Sequence, residues 1–421
     1  MTPIKLIIVG AGGRGTGYAE YALQYPDQVK VVGVAEPRDY YRQNLVNKHK
    51  IPIENVYLDW SGPANREKFA DGVIIATPDR LHYQPVLAYA NLGYHILLEK
   101  PMAQTNQECY EIVRTVKNKG IIFGVCHVLR YTTYTQKIKE IIDSGRLGQI
   151  INIQHLEPVG YWHQAHSFVR GNWRNTTEST FMLMSKSCHD LDWLRYIMGK
   201  HCTKVSSFGS LIHFRKENKP PGAADRCLDC KVETTCPYSA IKIYMGRFNA
   251  GELDWPLSIL SPDLTLEGVT QALRTGPYGR CVYACDNDVV DHQVVNLEYE
   301  DKSTASFTMT AFNRQRDRET RIFGTLGELE GDGRFIKVYD YLTDKTEGID
   351  TEISSDGSLL SGHGGGDYWL MNHFTRALLE NDKSLILSGP DETLESHYIV
   401  FAAEMSRLEN RVVDIGLLLY R

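Results

Sequence analysis

Several groups of side chains have types and spacings that could do chemistry. Gly10, Gly12 and Gly15 stand in Gly10-Ala11-Gly12-Gly13-Arg14-Gly15. This is the G-x-G-x-x-G spacing, in which glycines let a backbone turn tightly and approach a pyrophosphate at a helix N-terminus. Glu99-Lys100-Pro101 ends the apolar run Ile96-Leu97-Leu98 and puts an acid and a base where open α/β sheets keep their ligands. Ser185, Lys186 and His189 fall at i, i+1 and i+4 of a helical stretch and so share a face. Histidine titrates near neutrality, and a neighbouring ammonium favours its basic form. A base within reach of a hydroxyl, beside a bound hydride acceptor, is what oxidising an alcohol requires. Cys227-x2-Cys230-x5-Cys236-Pro237, followed later by Cys281 and Cys285, has metal-ligand spacing. The expectation there is a closed structural zinc site in which Cys281 or Cys285 is the fourth ligand. The Cys-Pro ending makes an iron–sulfur cluster the rival.

Elements that could position these groups are legible around them. Residues 5–9 read as a buried strand entering the glycine loop, with a helix running on to Leu23. A second strand, 31–35, ends at Glu36, 21 residues after Gly15. An acid there suits ribose hydroxyls and favours NAD, while Arg38 keeps NADP open. A third strand, 73–76, enters the turn Thr77-Pro78-Asp79-Arg80-Leu81-His82. The Glu99-Lys100-Pro101 strand is the fourth. Thr105-x-x-Glu108 is a capping box for a helix closing at Gly120, and 121–125 is the fifth strand. This alternation gives a parallel, doubly wound sheet.

Beyond it the expected elements are a helix from about 134 to 144, a second sheet starting at 150, and a loop, 162–174, with no period. That loop carries His163, His166, Arg170 and Trp173, a mixture suited to a sugar: aromatic faces for C–H groups and fork donors for hydroxyls or a carboxylate. A helix over 181–198 bears Ser185, Lys186 and His189. An insertion over about 215–286 holds the cysteines. Strands over 291–297, starting beside His292, and 305–310 follow. A glycine-rich loop, 361–367, would place His363 near the substrate mouth, and helices over 367–380 and 392–408 end the fold.

The chain has 421 residues, 42% of them hydrophobic and 23% charged, with 46 basic against 52 acidic side chains for a net charge of −6. No lysine or arginine cluster accompanies that balance, so a nucleic-acid partner is not expected. No window reaches the ~18 apolar residues of a membrane span, and Met1-Thr2-Pro3-Ile4-Lys5 has no basic-then-apolar pattern. The expectation is a soluble, cytoplasmic protein. Nine cysteines, an odd number, suggest thiols or metal ligands rather than a disulfide framework.

The terminal G-x-G-x-x-G, the Ala76-Thr77-Pro78 turn and Glu99-Lys100-Pro101 together resemble the Gfo/Idh/MocA oxidoreductases, among them glucose–fructose oxidoreductase and inositol dehydrogenase. The resemblance spans nearly the whole chain. It implies a Rossmann domain over 1–125 and, over 126–421, an α+β domain with an open, mostly antiparallel sheet, entered through Cys126-His127-Val128-Leu129-Arg130. By resemblance, Lys100 touches both nicotinamide and substrate and the Lys100-Pro101 bond is often cis. His189, in Cys188-His189-Asp190-Leu191-Asp192, matches the histidine that serves with that lysine. An aspartate often stands where this chain has Ser185, a departure that would hand part of the proton relay to Lys186.

The implied cofactor contacts are Gly10, Gly12, Gly13, Arg14, Gly15, Glu36, Arg38, Thr77, Pro78, His82, Glu99 and Lys100. Substrate would meet His163, His166, Arg170, Trp173, His189, His292 and His363. The implied activity is NAD(P)-dependent hydride transfer from a ring hydroxyl of a sugar, glycoside or cyclitol. A redox-neutral, NAD-dependent glycosidase is the alternative within the family, and a catalytically silent nucleotide-binding sensor the alternative outside enzymology. A homo-oligomer formed through the open sheet face is also implied.

Overall fold

Strands β1 (Ile4–Val9), β2 (Val29–Ala35), β3 (Val56–Tyr57), β4 (Gly72–Ile75), β5 (His95–Leu98) and β6 (Phe123–Val125) form a parallel sheet in the order β3-β2-β1-β4-β5-β6. The computed structural model describes residues 2–352 and 363–417. Apolar strands suit this sheet because both faces are covered. Leu6, Ile8, Ile74 and Leu97 point into one buried cluster, and Ile7, Val9, Val73, Ile75 and Ile96 into the other. The strand order reverses between β1 and β4. The loops leaving β1, β4 and β5 are therefore neighbours at the carboxyl edge, where such sheets bind ligands. The two-residue edge strand β3 is too short to carry a period, so five strands were expected where six stand.

The second sheet is mixed. It comprises β7 (Ile150–Pro158), β8 (Cys202–Ser210), β9 (His292–Tyr299), β10 (Thr304–Thr310), β11 (Glu319–Gly324), β12 (Gly327–Gly331), β13 (Phe335–Asp340), β14 (Lys345–Asp350) and β15 (Val413–Asp414). Their order is β14-β13-β12-β11-β7-β10-β9-β8-β15. Among the described residues, only β7 and β10 run parallel; every other pairing is antiparallel.

Two late helices join the sheets. Gly366–Glu380 places Leu370, Met371, Phe374 and Ala377 in the cluster under β1, so the chain returns to the nucleotide-domain face. Pro390–Glu409 buries Ile399, Val400, Ala402 and Ala403 against the second sheet, and its Leu394 and Phe401 also pack against the first. The crossover is fastened by a buried ion pair. Arg130 donates twice to Asp192, at 2.7 Å each, and once to the Leu387 carbonyl at 2.6 Å.

Three local expectations change. The stretch expected to be a loop is helical, over Tyr161–His163 and then through wider π turns over Gln164–Arg170. All seven residues of the second segment are buried, and a helix buried on every side shows no amphipathic period. The helix expected over 181–198 is broken into Met182–Ser185 and Cys188–Met198, with Lys186 at the break. The insertion is folded around a core of its own, with Phe214, Tyr238, Tyr244, Leu257 and Leu273 buried together beside the helix Leu266–Thr275. Ser361 and Gly362 of the glycine-rich loop lie outside the described residues.

Candidate active site

The glycine loop is built so that no side chain intrudes on it. Gly10 has φ +92°, and a Cβ there would stand 2.5 Å from the Ala76 carbonyl oxygen at the end of β4. A Cβ on Gly15 would stand 1.9 Å from the Gly10 oxygen, whereas one on Gly13 would meet nothing within 4 Å. The loop thus packs tightly against the sheet and opens outward over Gly12 and Gly13, at the start of the helix Gly13–Gln24. That is the shape a pyrophosphate cradle needs. Gly10→Ala is expected to cost about 1–3 kcal/mol through a disfavoured backbone and to weaken NADH binding. Denaturant unfolding and fluorescence titration of NADH check this; unchanged midpoint and affinity would refute it.

Glu36 is 2% exposed at the end of β2. Its carboxylate accepts from the Ala11 N–H at 2.8 Å and from Arg38 through the backbone N–H (3.0 Å), Nε (2.7 Å) and Nη2 (3.0 Å). Burial raises its pKa, but the Arg38 bonds more than offset this and hold it below the ordinary glutamate range. Glu36 therefore braces the glycine loop as well as presenting an acid, and Arg38 closes over it. Thr77 and Pro78 sit beside the loop at the end of β4. His82 is fully buried behind them, its two ring nitrogens 2.6 Å from the Pro101 oxygen and 2.9 Å from the Thr77 oxygen. It joins the two turns rather than facing the cleft.

The Lys100-Pro101 bond is cis. Glu99 is 6% exposed and accepts from Arg14 Nε at 2.6 Å, the Tyr18 hydroxyl at 2.8 Å and the Lys100 N–H at 2.8 Å. Arg14 also pairs with Asp367, which in turn lies 3.1 Å from His363 Nδ1. One arginine from the glycine loop thus ties the β5 turn to the helix Gly366–Glu380.

Lys100 Nζ donates to the Ser185 carbonyl at 2.6 Å. The Ser185 hydroxyl turns back to the Phe181 and Met182 carbonyls, so the backbone, and not this side chain, meets the lysine. His189 is 5% exposed with Nδ1 unpartnered among the described residues. His127 and His363 flank it, with ring centroids at 5.7 and 5.9 Å. Burial first, then the Lys100 ammonium and the neighbouring histidines, push its pKa well below the ordinary value of 6.5. His189 is therefore neutral near pH 7.

Lys186 does not share this face. The helix break sends it to Glu157 at the end of β7, 3.1 Å away. Glu157 pairs with Arg318 at 2.8 Å, Arg318 with Asp190 at 2.5 Å, and Asp190 with His155 at 3.2 Å. This network of alternating charges runs beneath His189 and carries none of the residues expected from sequence except Lys186. His163 joins the site from the turn Tyr161–His163, directly before the π-turn segment. Burial first, then Lys186 and His166, lower its pKa well below 6.5, with Lys100 adding to the effect. Its ring lies 4.9 Å from Trp255 of the insertion.

The other expected substrate residues go elsewhere. His166 is buried in the insertion core, hydrogen-bonded to Tyr244 at 2.8 Å and stacked on Tyr278. Arg170 turns toward the cysteines, donating to the Arg280 and Tyr238 carbonyls. Trp173 donates to Asp79 at 3.4 Å, bridging the two halves of the chain. His292 pairs with Asp291 at 2.9 Å at the start of β9. Sequence reading missed Glu157, Arg318 and Asp367. Each is a lone charge on a strand or helix end, and only Asp367, directly after the glycine-rich loop, carried a local signal.

The zinc expectation finds no support in the geometry. Among the described residues, no three His, Cys, Asp or Glu side chains stand so as to hold one metal ion, and all nine cysteines are free. Among the described residues, no helix is long and apolar enough to cross a membrane.

Two family models match the chain: an oxidoreductase family NAD-binding Rossmann fold over residues 4–127 and an oxidoreductase family C-terminal alpha/beta domain over 139–415. The chain is similar to a 2,7-anhydro-N-acetylneuraminate hydratase of Mediterraneibacter gnavus, 28% identical over 50% of this chain and 54% of that protein. It is also similar to a scyllo-inositol 2-dehydrogenase (NAD(+)) of Bacillus subtilis, 24% identical over 67% of this chain and 70% of that protein. Among solved structures it superposes on an oxidoreductase from Agrobacterium radiobacter in complex with NAD+, L-tartaric acid and magnesium. The TM-score is 0.72 at 15% identity, over 99% of this chain and 100% of that one. Against the hydratase, the matched stretch spans about half the curated relative's length.

Proposed function

Because the chain belongs to the Gfo/Idh/MocA oxidoreductase family, we propose that it is an NAD-dependent dehydrogenase acting on a ring CH–OH group of a sugar, glycoside or cyclitol. The observation that carries this reading is the meeting of Lys100, from the end of β5, with the helix break before His189. It brings an ammonium and a neutral imidazole together at the carboxyl edge of the nucleotide sheet.

Gly10, Gly12, Gly13 and Gly15 would take the pyrophosphate, and Glu36 the ribose hydroxyls, which favours NAD over NADP. Arg38 must then swing from the carboxylate. Nicotinamide, when bound, supplies the hydride acceptor. Lys100 fixes the substrate oxygen by hydrogen bonding and stabilises negative charge developing on it. His189 accepts the hydroxyl proton at Nε2, since its Nδ1 is buried. Lys186, held by Glu157, supplies a fixed cationic field beside this pair rather than a proton, while His163 and Trp255 wall the cleft and favour a substrate with C–H faces. Phe208 and Val294, paired across β8 and β9, are 63% and 38% exposed; this sheet face would be covered in a homo-oligomer. The protein would work in the cytoplasm.

A panel of sugars, glycosides and inositols incubated with NAD or NADP tests the reading. Reduced cofactor should appear with NAD and a cyclic polyol; binding of NADH with no reduction and no bond cleavage across the panel would refute it. The similarity to the hydratase favours a second reading, redox-neutral elimination at the same site. Glycoside or anhydro-sugar cleavage without net NADH would establish it. For either reaction, the acid limb of kcat/KM should lie below the usual imidazole range, because His189 stays unprotonated until pH falls through its lowered pKa. An acid limb at 6.5 that disappears in His189→Asn would contradict this.

A further inference from the structure

We propose that Cys227, Cys230, Cys236 and Cys281 bind a four-iron, four-sulfide cluster that serves as a structural brace of the insertion. These four residues line one cavity of about 90 Å³. Cys285 is not among its lining residues; its thiol turns to the Cys281 carbonyl at 3.3 Å. Four thiols around one space would ordinarily indicate zinc, but no three of them stand so as to share one ion. A cubane cluster places each thiolate on a different iron, so its ligands surround a body larger than an atom and need not converge. The Cys-x2-Cys pair and the Cys236-Pro237 step are compatible with that ligation.

A second observation points independently to an anion in the cavity. Arg170 lines the same space and is 1% exposed. Its Nε donates to the Arg280 carbonyl at 2.7 Å and its Nη2 to the Tyr238 carbonyl at 2.8 Å. Nη2 also lies 3.6 Å from Cys227 Sγ, and Nη1 has no partner among the described residues. No carboxylate among the described residues pairs with it, although Arg130, also 1% exposed, has one. A buried guanidinium without a counter-charge is costly. An oxidised four-iron cluster ligated by four thiolates carries net negative charge and would supply it.

The sulfurs are also placed among backbone donors. Ala240 N–H donates to Cys227 at 3.4 Å, and the backbone of Tyr238 and Tyr283 lies beside Cys236 and Cys281. Hydrogen bonds to ligating sulfurs are a means by which proteins stabilise such clusters.

Binding is a ligand exchange with no net electron transfer. Four S–H bonds break and their protons pass to solvent, while four Fe–S(thiolate) bonds replace four bonds from the cluster irons to solvent or carrier ligands, which leave. Arg170 lies on the same buried π-turn segment as His166, immediately after His163, so the cluster would also hold the wall of the cleft in place.

The test uses the full chain purified without oxygen, and again after incubation with equal ferrous and ferric iron and sulfide. About four iron and four labile sulfides per chain are expected, with a brown charge-transfer absorbance. Cys227→Ser and Cys236→Ser should lose both, whereas Cys285→Ser should retain both. Arg170→Met should lower cluster retention severalfold on exposure to a chelator. Titration of NADH by each variant reports separately that the nucleotide domain is folded. Zinc at about one per chain without sulfide would overturn the proposal, as would equal iron and sulfide in Cys236→Ser and the parent, or absence of both after incubation.

Discussion

Lys100→Met should lower kcat by roughly 10²–10⁴-fold, the range expected on losing a positioned proton-transfer or charge-stabilising group, while NADH still binds. The β5 turn does not depend on the ammonium. Glu99 is held by Arg14 and Tyr18, and Met102 N–H bonds to His397 at 2.9 Å. Methionine can follow the aliphatic stem and leaves only the Ser185 carbonyl without its donor. The loss should therefore appear in kcat and in kcat/KM together, as it does when an interaction made in the transition state is removed. The reaction is read with the substrate found by the polyol panel, and NADH fluorescence reports folding and binding. Turnover within threefold of the parent would remove Lys100 from the mechanism and the proposed function with it. His189→Asn should show a loss of similar kind without its acid limb.

Arg130→Met should destabilise the folded chain by about 3–5 kcal/mol, the cost of breaking one side of a buried pair. Both side chains are 1% exposed, so Asp192 would be left charged or forced to take up a proton in the interior. Arg130→Met with Asp192→Leu should lose less than Arg130→Met alone, because no uncompensated charge remains. The pair also sets a pH dependence. Burial raises the Asp192 pKa, but Arg130 and then His127 more than offset it, so the folded value lies below the ordinary 3.8. A depressed carboxylate pKa contributes stability that is complete above the unfolded value and lost as pH falls through the folded one. The difference between parent and double variant should thus be largest near neutrality and shrink on acidification below 3.8. Denaturant midpoints across that window measure it; a difference growing toward acid would contradict the assignment. The pair joins the crossover to the helix bearing His189, so losing it should also weaken turnover more than it weakens NADH binding.

The nucleotide half of the site was legible because its parts are covalent neighbours. A buried strand, a glycine turn and a helix follow one another within β1 and the helix after it, and Glu99-Lys100-Pro101 directly ends β5. Local rules about turns and strand ends are sufficient there, and the six-stranded sheet differs from expectation only by the two-residue β3. The opposing wall was legible only in part. His189 was singled out from its helix face and its match to the family's histidine, but the break after Ser185 changed which face Lys186 occupies. Its carboxylate partner, Glu157, belongs to β7, and the Arg318 that completes the network is 128 residues from Asp190.

Within 162–174, the loop expected from the missing period is helical through Arg170. Burial on all sides removes the polar–apolar period on which helix recognition depends. Tertiary packing then separated residues that look equivalent in sequence: His163 packed against Trp255, His166 entered an aromatic core, and Arg170 faced the cysteines. The same holds for the thiols, whose spacing implied metal ligation, while the choice of Cys281 over Cys285 and the width of the cavity depended on how the insertion closes. Sequence therefore determined what each short segment could hold, because that is set by residues within a turn or two. Which segments meet was decided by the burial of distant apolar faces against one another, and this fixed the partners of every charge in the cleft.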